Sequence, residues 1–304
     1  MQRTPRHHRS ANQRRTRLLC GFTTLLLLAV VLTSGGPAKA ADQDALKAVQ
    51  NGESCPFCDL RYIKLERCNL SKQNLSGAFL FSVDILDCDL SSINLDSANL
   101  TLGDFRNANL SNAKLARTQL ENASFLDSKL INADLTFIFA PGAEFDGVDL
   151  TNAVMSAGEL SGVRFSRVTA SWADLRSADL RGANLQNTNF ANANLDGVNL
   201  SGANLRGVDL TGASIQGANL SGADLTGSLL QSTDLSDSDL TGAKCLRCQF
   251  IQTDVRHADF TGADLSGAIF DSVIDEETLI CGAKMPDGSV GECAAGRAAA
   301  PPAN

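Results

Sequence analysis

Two Cys-x-x-Cys pairs are the residues of this sequence best suited to redox or metal chemistry. They are Cys55/Cys58 and Cys245/Cys248, and they lie 190 residues apart. A catalytic dithiol of the thioredoxin type has its first thiol at the start of a helix in a βαβ unit, which lowers the thiol pKa. No such unit is predicted around either pair. Zinc ligation and structural disulfides are therefore the interpretations to weigh.

Catalysis by histidine or by paired carboxylates is the next alternative. His257 is the only histidine outside the first 40 residues, so a Ser-His-Asp triad would have to use it. Aspartates are plentiful, and paired carboxylates can hydrolyse glycosidic bonds, but they recur at one solvated place of a repeat. No phosphate-binding loop, dinucleotide-binding motif or metal-binding histidine pair is present. The sequence predicts a protein that is not an enzyme and needs no cofactor.

A period of five residues organises the chain from residue 60 to residue 270. All 43 positions at this interval are apolar, including 28 Leu and 8 Phe, and Asp275 is the first to break the pattern. Such a period would wind around the whole surface of a helix and alternate between the faces of a strand. Each pentad must therefore contain a corner. The residue two before each apolar centre is mostly small and points inward with it, whereas the Asn or Asp between them points outward.

The pentad Ala178-Asp179-Leu180-Arg181-Gly182 matches the A(D/N)LXX pattern, so the chain resembles the pentapeptide-repeat family. The resemblance covers residues 55–273. It implies an all-β solenoid, a right-handed quadrilateral β-helix of about eleven four-pentad coils with Leu or Phe stacked inside. A spacing of roughly 4.8 Å between coils would make a rod on the order of 50 Å long. Each coil contacts only its neighbours, so both ends need caps.

Coils of 20 residues bear on the choice between zinc and disulfides. Cys68 and Cys88 are 20 residues apart, so they stack on adjacent coils with Cα atoms about 5 Å apart, within the range of a disulfide. We predict a Cys68–Cys88 disulfide and a local bridge within each Cys-x-x-Cys pair. The two pairs lie about 45 Å apart along the rod, too far to share a zinc ion. A zinc site formed by Cys55, Cys58, Cys68 and Cys88 stays open as the alternative.

Both ends of the predicted solenoid carry features of a cap. Residues 41–54 predict a short helix, with Asp near its start and Gly52 where it stops, that covers the first coil. In residues 274–294, Cys281 and Cys293 bracket the sequence MPDGS. This segment resembles the ending of many exported pentapeptide-repeat proteins, and the resemblance implies a hairpin cap closed by a Cys281–Cys293 disulfide. The last residues, 295–304, predict a disordered tail.

The first 40 residues have the features of a secretory signal peptide cleaved near Ala40. Residues 1–17 contain six Arg and no acid, residues 18–32 are apolar, and small residues precede Ala41. A single uncleaved membrane anchor is the alternative, and the choice between general secretory and twin-arginine export stays open. Removing residues 1–40 takes away seven of the 26 basic residues and none of the 34 acidic ones, which leaves a net charge of −15. A nucleic-acid surface is therefore not expected.

Exposed apolar residues on one side of the predicted rod suggest a contact surface. The outward positions carry five of them, Phe79, Phe81, Leu102, Phe137 and Phe139. Phe79 and Phe139 share one column, and together the five predict a patch that contacts a partner. Alternatively, Pro141-Gly142 marks a bulge under which Phe137 and Phe139 pack. Residues 136–174 are the least regular stretch, and alanines at two centres predict a bend or a loose zone there.

These observations predict an exported, non-catalytic scaffold or binding protein that presents flat solenoid faces to a protein or cell-envelope partner. Because some members of the family imitate DNA, the resemblance also implies an alternative, an acidic inhibitor of a topoisomerase, if the leader is not used for export. The aspartates scatter over all four sides instead of forming one stripe, which favours the first interpretation. A hydrolase of the cell envelope is disfavoured because no concave site is predicted.

Overall fold

A computed structural model describes residues 42–293 of the chain as a β-solenoid. The predicted leader, residues 1–40, and the predicted tail, residues 295–304, lie outside the described residues. The regular elements are one helix and four short strands: α1 (Gln43–Gln50), β1 (Lys64–Glu66), β2 (Asp84–Leu86), β3 (Gln249–Ile251) and β4 (Ile269–Asp271). Strand β1 pairs in parallel with β2, and β3 pairs in parallel with β4.

Between these strands, the coils are joined by single parallel bridges from each residue to the residue 20 positions later. Asn99 bridges back to Phe79 and forward to Gln119. Its N–H donates to the carbonyl of Ala78 at 3.0 Å, and its own carbonyl accepts from the N–H of Leu80 at 2.7 Å. One such bridge forms in every pentad, so each coil has four sides. The period of five in the sequence thus becomes a period of 20 in space.

The interior is filled by the apolar centres and by the small residues two positions before them. Phe105, Phe125, Phe145 and Phe165 are fully buried at the same position of four successive coils. Their rings stack with centroids 5.0–5.1 Å apart. Because each ring lies on the next, the core is a continuous column that keeps successive coils in register.

Hydroxyl residues replace alanine at several of the small inward positions, and the threonines among them donate to the preceding coil. Thr118 donates to the carbonyl of Leu95 at 3.1 Å, Thr233 donates to that of Leu210 at 2.7 Å, and Thr253 donates in the same way to Leu230 at 2.6 Å. Each acceptor lies 23 residues earlier, at a centre of the preceding coil. This carbonyl satisfies the buried threonine hydroxyls, whereas the buried Ser128 hydroxyl at the same inward position makes no hydrogen bond among the described residues.

The corners place one residue of each pentad in the left-handed region of backbone space. Gly222 has φ +65° there, and non-glycine residues such as Asn192 (φ 60°) and Trp172 (φ 63°) adopt the same conformation. Asn tolerates it better than bulky residues do. Trp172 is 63% exposed, so the indole does not fill the space beside Ala170.

Replacing Trp172 with glycine should therefore raise the free energy of unfolding by about 0.5–1 kcal/mol. The exposed indole contributes little packing, and the N–H that donates to Ala191 at 3.0 Å is retained. Gly222→Ala is the opposite change and serves as the control. A Cβ at Gly222 would meet no atom within 4 Å, so the replacement adds only backbone strain. Urea unfolding should shift in opposite directions for the two variants. A destabilised Trp172→Gly variant would contradict this interpretation of the corners.

The predicted bend or loose zone over residues 136–174 is not formed, and neither is the bulge at Pro141-Gly142. Phe139 bridges to Gln119 and to Glu159 in the regular register, and Gly142 donates to the carbonyl of Ser161 at 3.1 Å. The residues that look irregular in the sequence compensate one another in space.

Residues 136–174 stay regular because large and small side chains compensate one another in volume, both within one coil and between neighbouring coils. Ile138 is large at a small position, but the next centre, Ala140, is small where Leu is usual, and both are fully buried. In the following coil Gly158 lies over Ile138, and a Cβ there would approach the Ile138 side chain to 3.3 Å. Volume is therefore conserved across the three positions, which cores tolerate well.

Helix α1 lies against the first coil. The Asp42 carboxylate accepts from the N–H groups of Asp44 and Ala45 at 3.0 and 3.4 Å and caps the helix. Ala45 and Val49 are buried, and the buried Gln73 side chain donates to the carbonyl of Val49 at 3.0 Å. The helix thus packs its apolar side on the coil that has no preceding neighbour in the described residues.

A short antiparallel hairpin follows the last coil. Lys284 bridges to Val290, Met285 donates to the carbonyl of Ser289 at 2.9 Å, and the Asp287 carboxylate accepts from Ser289 in the turn at 2.9 Å. A disulfide joins Cys281 to Cys293 across its base, with Cα atoms 4.2 Å apart.

Candidate functional site

Of the eight cysteines for which a disulfide is predicted, six form disulfides in the structure. Cys68 is bonded to Cys88 on the adjacent coil, with Cα atoms 4.6 Å apart, and Cys245 is bonded to Cys248. With the hairpin bridge, this accounts for three of the predicted pairings. The four-cysteine zinc site is not formed, because the Cys68 and Cys88 sulfurs are bonded to each other. Within residues 42–293, no group of three or more His, Cys, Asp or Glu side chains is arranged to hold a metal ion.

The prediction of a local disulfide between Cys55 and Cys58 is wrong, because both residues are free thiols. Cys58 donates to the carbonyl of Cys55 at 2.6 Å. Cys248 occupies the same register position, but its sulfur lies 3.2 Å from the Leu225 carbonyl of the preceding coil, and no preceding coil among the described residues packs on Cys58 in this way. Burial, followed by interaction with Cys55, raises the pKa of the Cys58 thiol to about 12. The thiol is therefore protonated at neutral pH and is a poor nucleophile.

The outward aspartates accept hydrogen bonds from backbone N–H groups of the turns that follow them. The carboxylates of Asp179, Asp224, Asp239, Asp259 and Asp264 each accept from the N–H two residues later, at 2.8–3.1 Å. In Asp179 and Asp254, hydrogen bonds from Arg181 and Arg256 lower the carboxyl pKa below its ordinary value. A general acid requires the opposite shift, so these carboxylates suit turn formation.

His257 lies at an exposed corner. Its Nδ1 is 3.1 Å from an oxygen of Asp237 on the preceding coil, and both side chains are largely exposed. No hydroxyl of residues 42–293 is bonded to the ring, so the arrangement is a surface pair and not a triad.

The predicted patch residues lie on one of the four sides of the solenoid. Phe79, Leu102, Phe137 and Phe139 are 40–56% exposed. Phe81 is half-buried because its ring packs edge-on against Tyr62, with centroids 5.7 Å apart. Phe137 and Phe139 do not pack beneath a bulge. Phe79 and Phe139 share a column, but Asn99 and Gln119 separate them, so the residues form two clusters on one face.

Two residues of this face were missed at the sequence level. Phe57 is 74% exposed and Tyr62 is 50% exposed, and the Phe57 ring lies directly over Gly77 of the next coil. Phe57 shares the corner column of Phe137, and Tyr62 shares that of Leu102. Extending the columns by one coil toward the N-terminus would have found them. We call the surface of Phe57, Tyr62, Phe79, Phe81, Leu102, Phe137 and Phe139 the aromatic face.

Few charges interrupt the aromatic face. Arg117 lies between its two clusters, with the guanidinium 5.5 Å from the centre of the Phe137 ring, a cation–π geometry. Asp59 and Arg61 form an ion pair at 2.6 Å near its N-terminal end. Glu121 lies in the same coil as Arg117, between the two clusters, and Glu159 bridges to Phe139 one coil further on. Over five coils, about 20 Å along the axis, the face therefore consists of two apolar clusters with Arg117 and Glu121 between them.

The family profile "Pentapeptide repeats" matches the chain over residues 88–167 and 173–274, with eight copies. The chain belongs to the pentapeptide repeat family. Membership supports the right-handed quadrilateral β-helix that the resemblance implies. No curated protein sequence matches this pentapeptide repeat protein.

Solved structures of other pentapeptide repeat proteins are similar to the chain. One is HetL from the cyanobacterium Nostoc, involved in heterocyst differentiation regulation, with 27% identity over 81% of this chain and 97% of that chain and a TM-score of 0.39. Another is a trypsin-treated form of QnrB1, a plasmid-mediated fluoroquinolone resistance protein, with 20% identity over 71% and 91% of the two chains and a TM-score of 0.36. A third, from the thylakoid lumen of Arabidopsis thaliana, has 28% identity over 36% of this chain and 66% of that one, with a TM-score of 0.16.

Within the described residues, no helix has both the length and the apolar composition needed to cross a membrane.

Proposed function

We propose that this pentapeptide repeat protein is an exported, non-catalytic binding protein that docks a partner protein through its aromatic face. One observation carries the proposal. In the described stretch from residue 55 to residue 165, the most exposed large apolar side chains are Phe57, Tyr62, Phe79, Leu102, Phe137 and Phe139. Phe79 and Phe139 lie on one of the four sides, and the other four lie at the two corners that bound it. Apolar side chains scattered at random would be spread over all sides, so clustering on one side favours a contact surface.

The composition of the face favours a protein as the partner. Phe and Tyr supply large contact areas with few rotatable bonds and are enriched in the buried centres of protein interfaces. Glu121 between the clusters, Glu159 next to Phe139, and the net negative charge of the chain favour a partner that carries basic side chains beside an apolar patch. The rigid ladder beneath the face holds the side chains in place, so little backbone ordering is required on binding.

The absence of catalysis is proposed from how the candidate groups are used. The aspartates support corners, His257 pairs with Asp237 at the surface, and Cys58 is a protonated thiol. Export is proposed from the leader features of residues 1–40 and is supported by the three disulfides, which persist in oxidising compartments.

We further propose that the stack contains nearly eleven coils, that α1 covers its first coil, and that the hairpin around Asp287 partly covers its last coil. Buried Ala45, Val49 and Ala283 support both covers. Covered ends protect edge backbone groups from pairing with other chains.

Site-specific photocrosslinking tests the docking proposal. A benzophenone side chain replaces Phe139, and in the control it replaces Trp172, an exposed aromatic residue on another side. In the intact cell envelope, one discrete adduct is expected from position 139 and none from position 172. The same adduct from both positions would contradict the proposal.

The replacements Phe79→Ser and Phe139→Ser, made together, should weaken binding of the purified partner at least tenfold. Both rings would lose the apolar area that they bury on binding, while thermal unfolding stays unchanged because neither ring is in the core. Trp172→Ser is the matched control and should bind as the wild type does. Calorimetric titration that shows equal affinity for all three proteins would discard the aromatic face as the docking surface.

Topoisomerase inhibition by DNA mimicry is less well supported. A DNA mimic needs free carboxylates in a stripe, whereas Asp104, Asp174, Asp179 and Asp254 are each bonded to an arginine two residues later, at 2.5–2.7 Å. Recovery of the chain in the cytoplasm with its leader intact would favour this alternative.

A further inference from the structure

Among residues 42–293, the C-terminal end of the core is only partly covered. Phe250 and Phe260 are buried, but Phe270, the last apolar centre, is 41% exposed although its ring stacks on Phe250 at 4.6 Å. A cavity of about 470 Å³ lies beside it. Its walls include Phe260, Phe270, Val273, Ile280 and Met285, and the hairpin does not close it. A volume of this size suits a small ligand.

One acidic residue, exposed to solvent, contributes to the lining of this cavity, at a position where every earlier coil has an apolar side chain. Asp275 is the first residue to break the row of 43 apolar centres, and it contributes to the cavity wall. Its carbonyl accepts from the N–H of Thr278 at 3.2 Å, but within residues 42–293 its carboxylate makes no hydrogen bond or ion pair. The Thr278 hydroxyl donates instead to the carbonyl of Val255 at 2.7 Å. No neighbour in the described part of the chain therefore balances the Asp275 charge.

We propose that this cavity binds an amphiphilic monocation, an alkylammonium with one protonated amine and an apolar chain. The ammonium pairs with the Asp275 carboxylate, and the chain packs on Val273, Ile280 and Met285. The rings of Phe260 and Phe270 favour a cation further, because the faces of aromatic rings attract positive charge. Apolar walls alone would accept a neutral alcohol, and a carboxylate ligand would be repelled by Asp275. This site lies about 30 Å from Phe139 along the axis and is independent of the aromatic face.

A second copy of the chain is the rival occupant. Stacking two C-terminal ends around a two-fold axis would bring Asp275, Glu276 and Glu277 of one copy near the same acids of the other. Like charges at an interface oppose association, so the unpaired acid favours a cationic ligand over a second copy.

Calorimetric titration with three probes of equal chain length tests the proposal on the purified protein. The probes are octylammonium, octanol and octanoate, each below the concentration at which it forms micelles. Octylammonium should bind at least tenfold more tightly than octanol, and octanoate should not bind. Asp275→Asn should weaken octylammonium at least tenfold and leave octanol within about twofold. Glu276→Gln, the matched control, removes one charge from the neighbouring outward position and should leave all three affinities within twofold.

Val273→Phe fills the cavity and should abolish binding of all the probes that bind the wild type, with thermal unfolding used to check that the fold is retained. The proposal is overturned if octylammonium does not bind up to its solubility limit, if it binds no better than octanol, or if Asp275→Asn leaves its affinity unchanged. It is also overturned if sedimentation shows a dimer that Val273→Phe disrupts and that excludes the probes.

Discussion

Replacing Phe125 with alanine should lower the free energy of unfolding by about 3–5 kcal/mol. Phe125 is fully buried, and its ring stacks on Phe105 and on Phe145, with centroids 5.1 Å from each. The replacement removes the apolar area of one ring, leaves a cavity that closely packed coils cannot fill, and breaks both stacking contacts. Urea unfolding followed by circular dichroism measures the change.

The control for Phe125→Ala is the same change at the surface. Phe139 is 40% exposed and lies only 14 residues further along the chain, so Phe139→Ala should change the free energy of unfolding by at most about 0.5 kcal/mol. Similar losses for both variants would show that the column of stacked rings does not hold the coils together. The comparison also separates stability from binding, because only Phe139 belongs to the aromatic face.

Removing the Cys68–Cys88 disulfide by replacing both residues with alanine should lower the free energy of unfolding by about 3 kcal/mol. The bridge joins residues 20 apart on adjacent coils, so it restricts a loop of that length in the unfolded chain. Alanine is the commonest residue at this inward position, as Ala98 and Ala108 illustrate, and the core should accept it. Denaturant unfolding in the absence of reductant measures the loss.

A reducing agent is the control for the disulfide. When both proteins are reduced, neither contains a bridge, and their free energies of unfolding should agree within about 0.5 kcal/mol. A difference that persists after reduction would assign the loss to packing. Equal stability under oxidising conditions would contradict the prediction itself.

The two stabilising devices act in different ways, and together they fit a binding role. Stacked rings favour the folded coils through contacts, whereas disulfides act mainly on the unfolded chain. Phe105 to Phe165 lie inside the coils that carry Phe137 and Phe139. A partner would thus bind a preformed surface, so ordering of this protein would subtract little from the binding free energy.

Local arithmetic in the sequence was enough to predict a chain that turns within each pentad, because an apolar residue at every fifth position fits neither a helix nor a straight strand. The resemblance to the pentapeptide-repeat family added that four pentads form one coil, so that residues 20 apart share a column. The Cys68–Cys88 pairing and the common column of Phe79 and Phe139 follow from the two together. Such features are predictable because each coil repeats the same backbone path.

The bonding state of the cysteines, the packing of irregular core residues and the C-terminal cavity depend on contacts between neighbouring coils, and only the tertiary structure showed them. Cys55/Cys58 and Cys245/Cys248 have the same spacing and register, but only the second pair is bonded, because it lies between coils and the first lies at an end. Ile138, Ala140 and Gly158 look irregular one at a time, yet their volumes compensate across two coils. The cavity beside Asp275 likewise exists because, among the described residues, the hairpin covers only part of the last coil. Sequence periodicity specifies the path of the chain, whereas burial and charge balance arise from contacts between turns of that path.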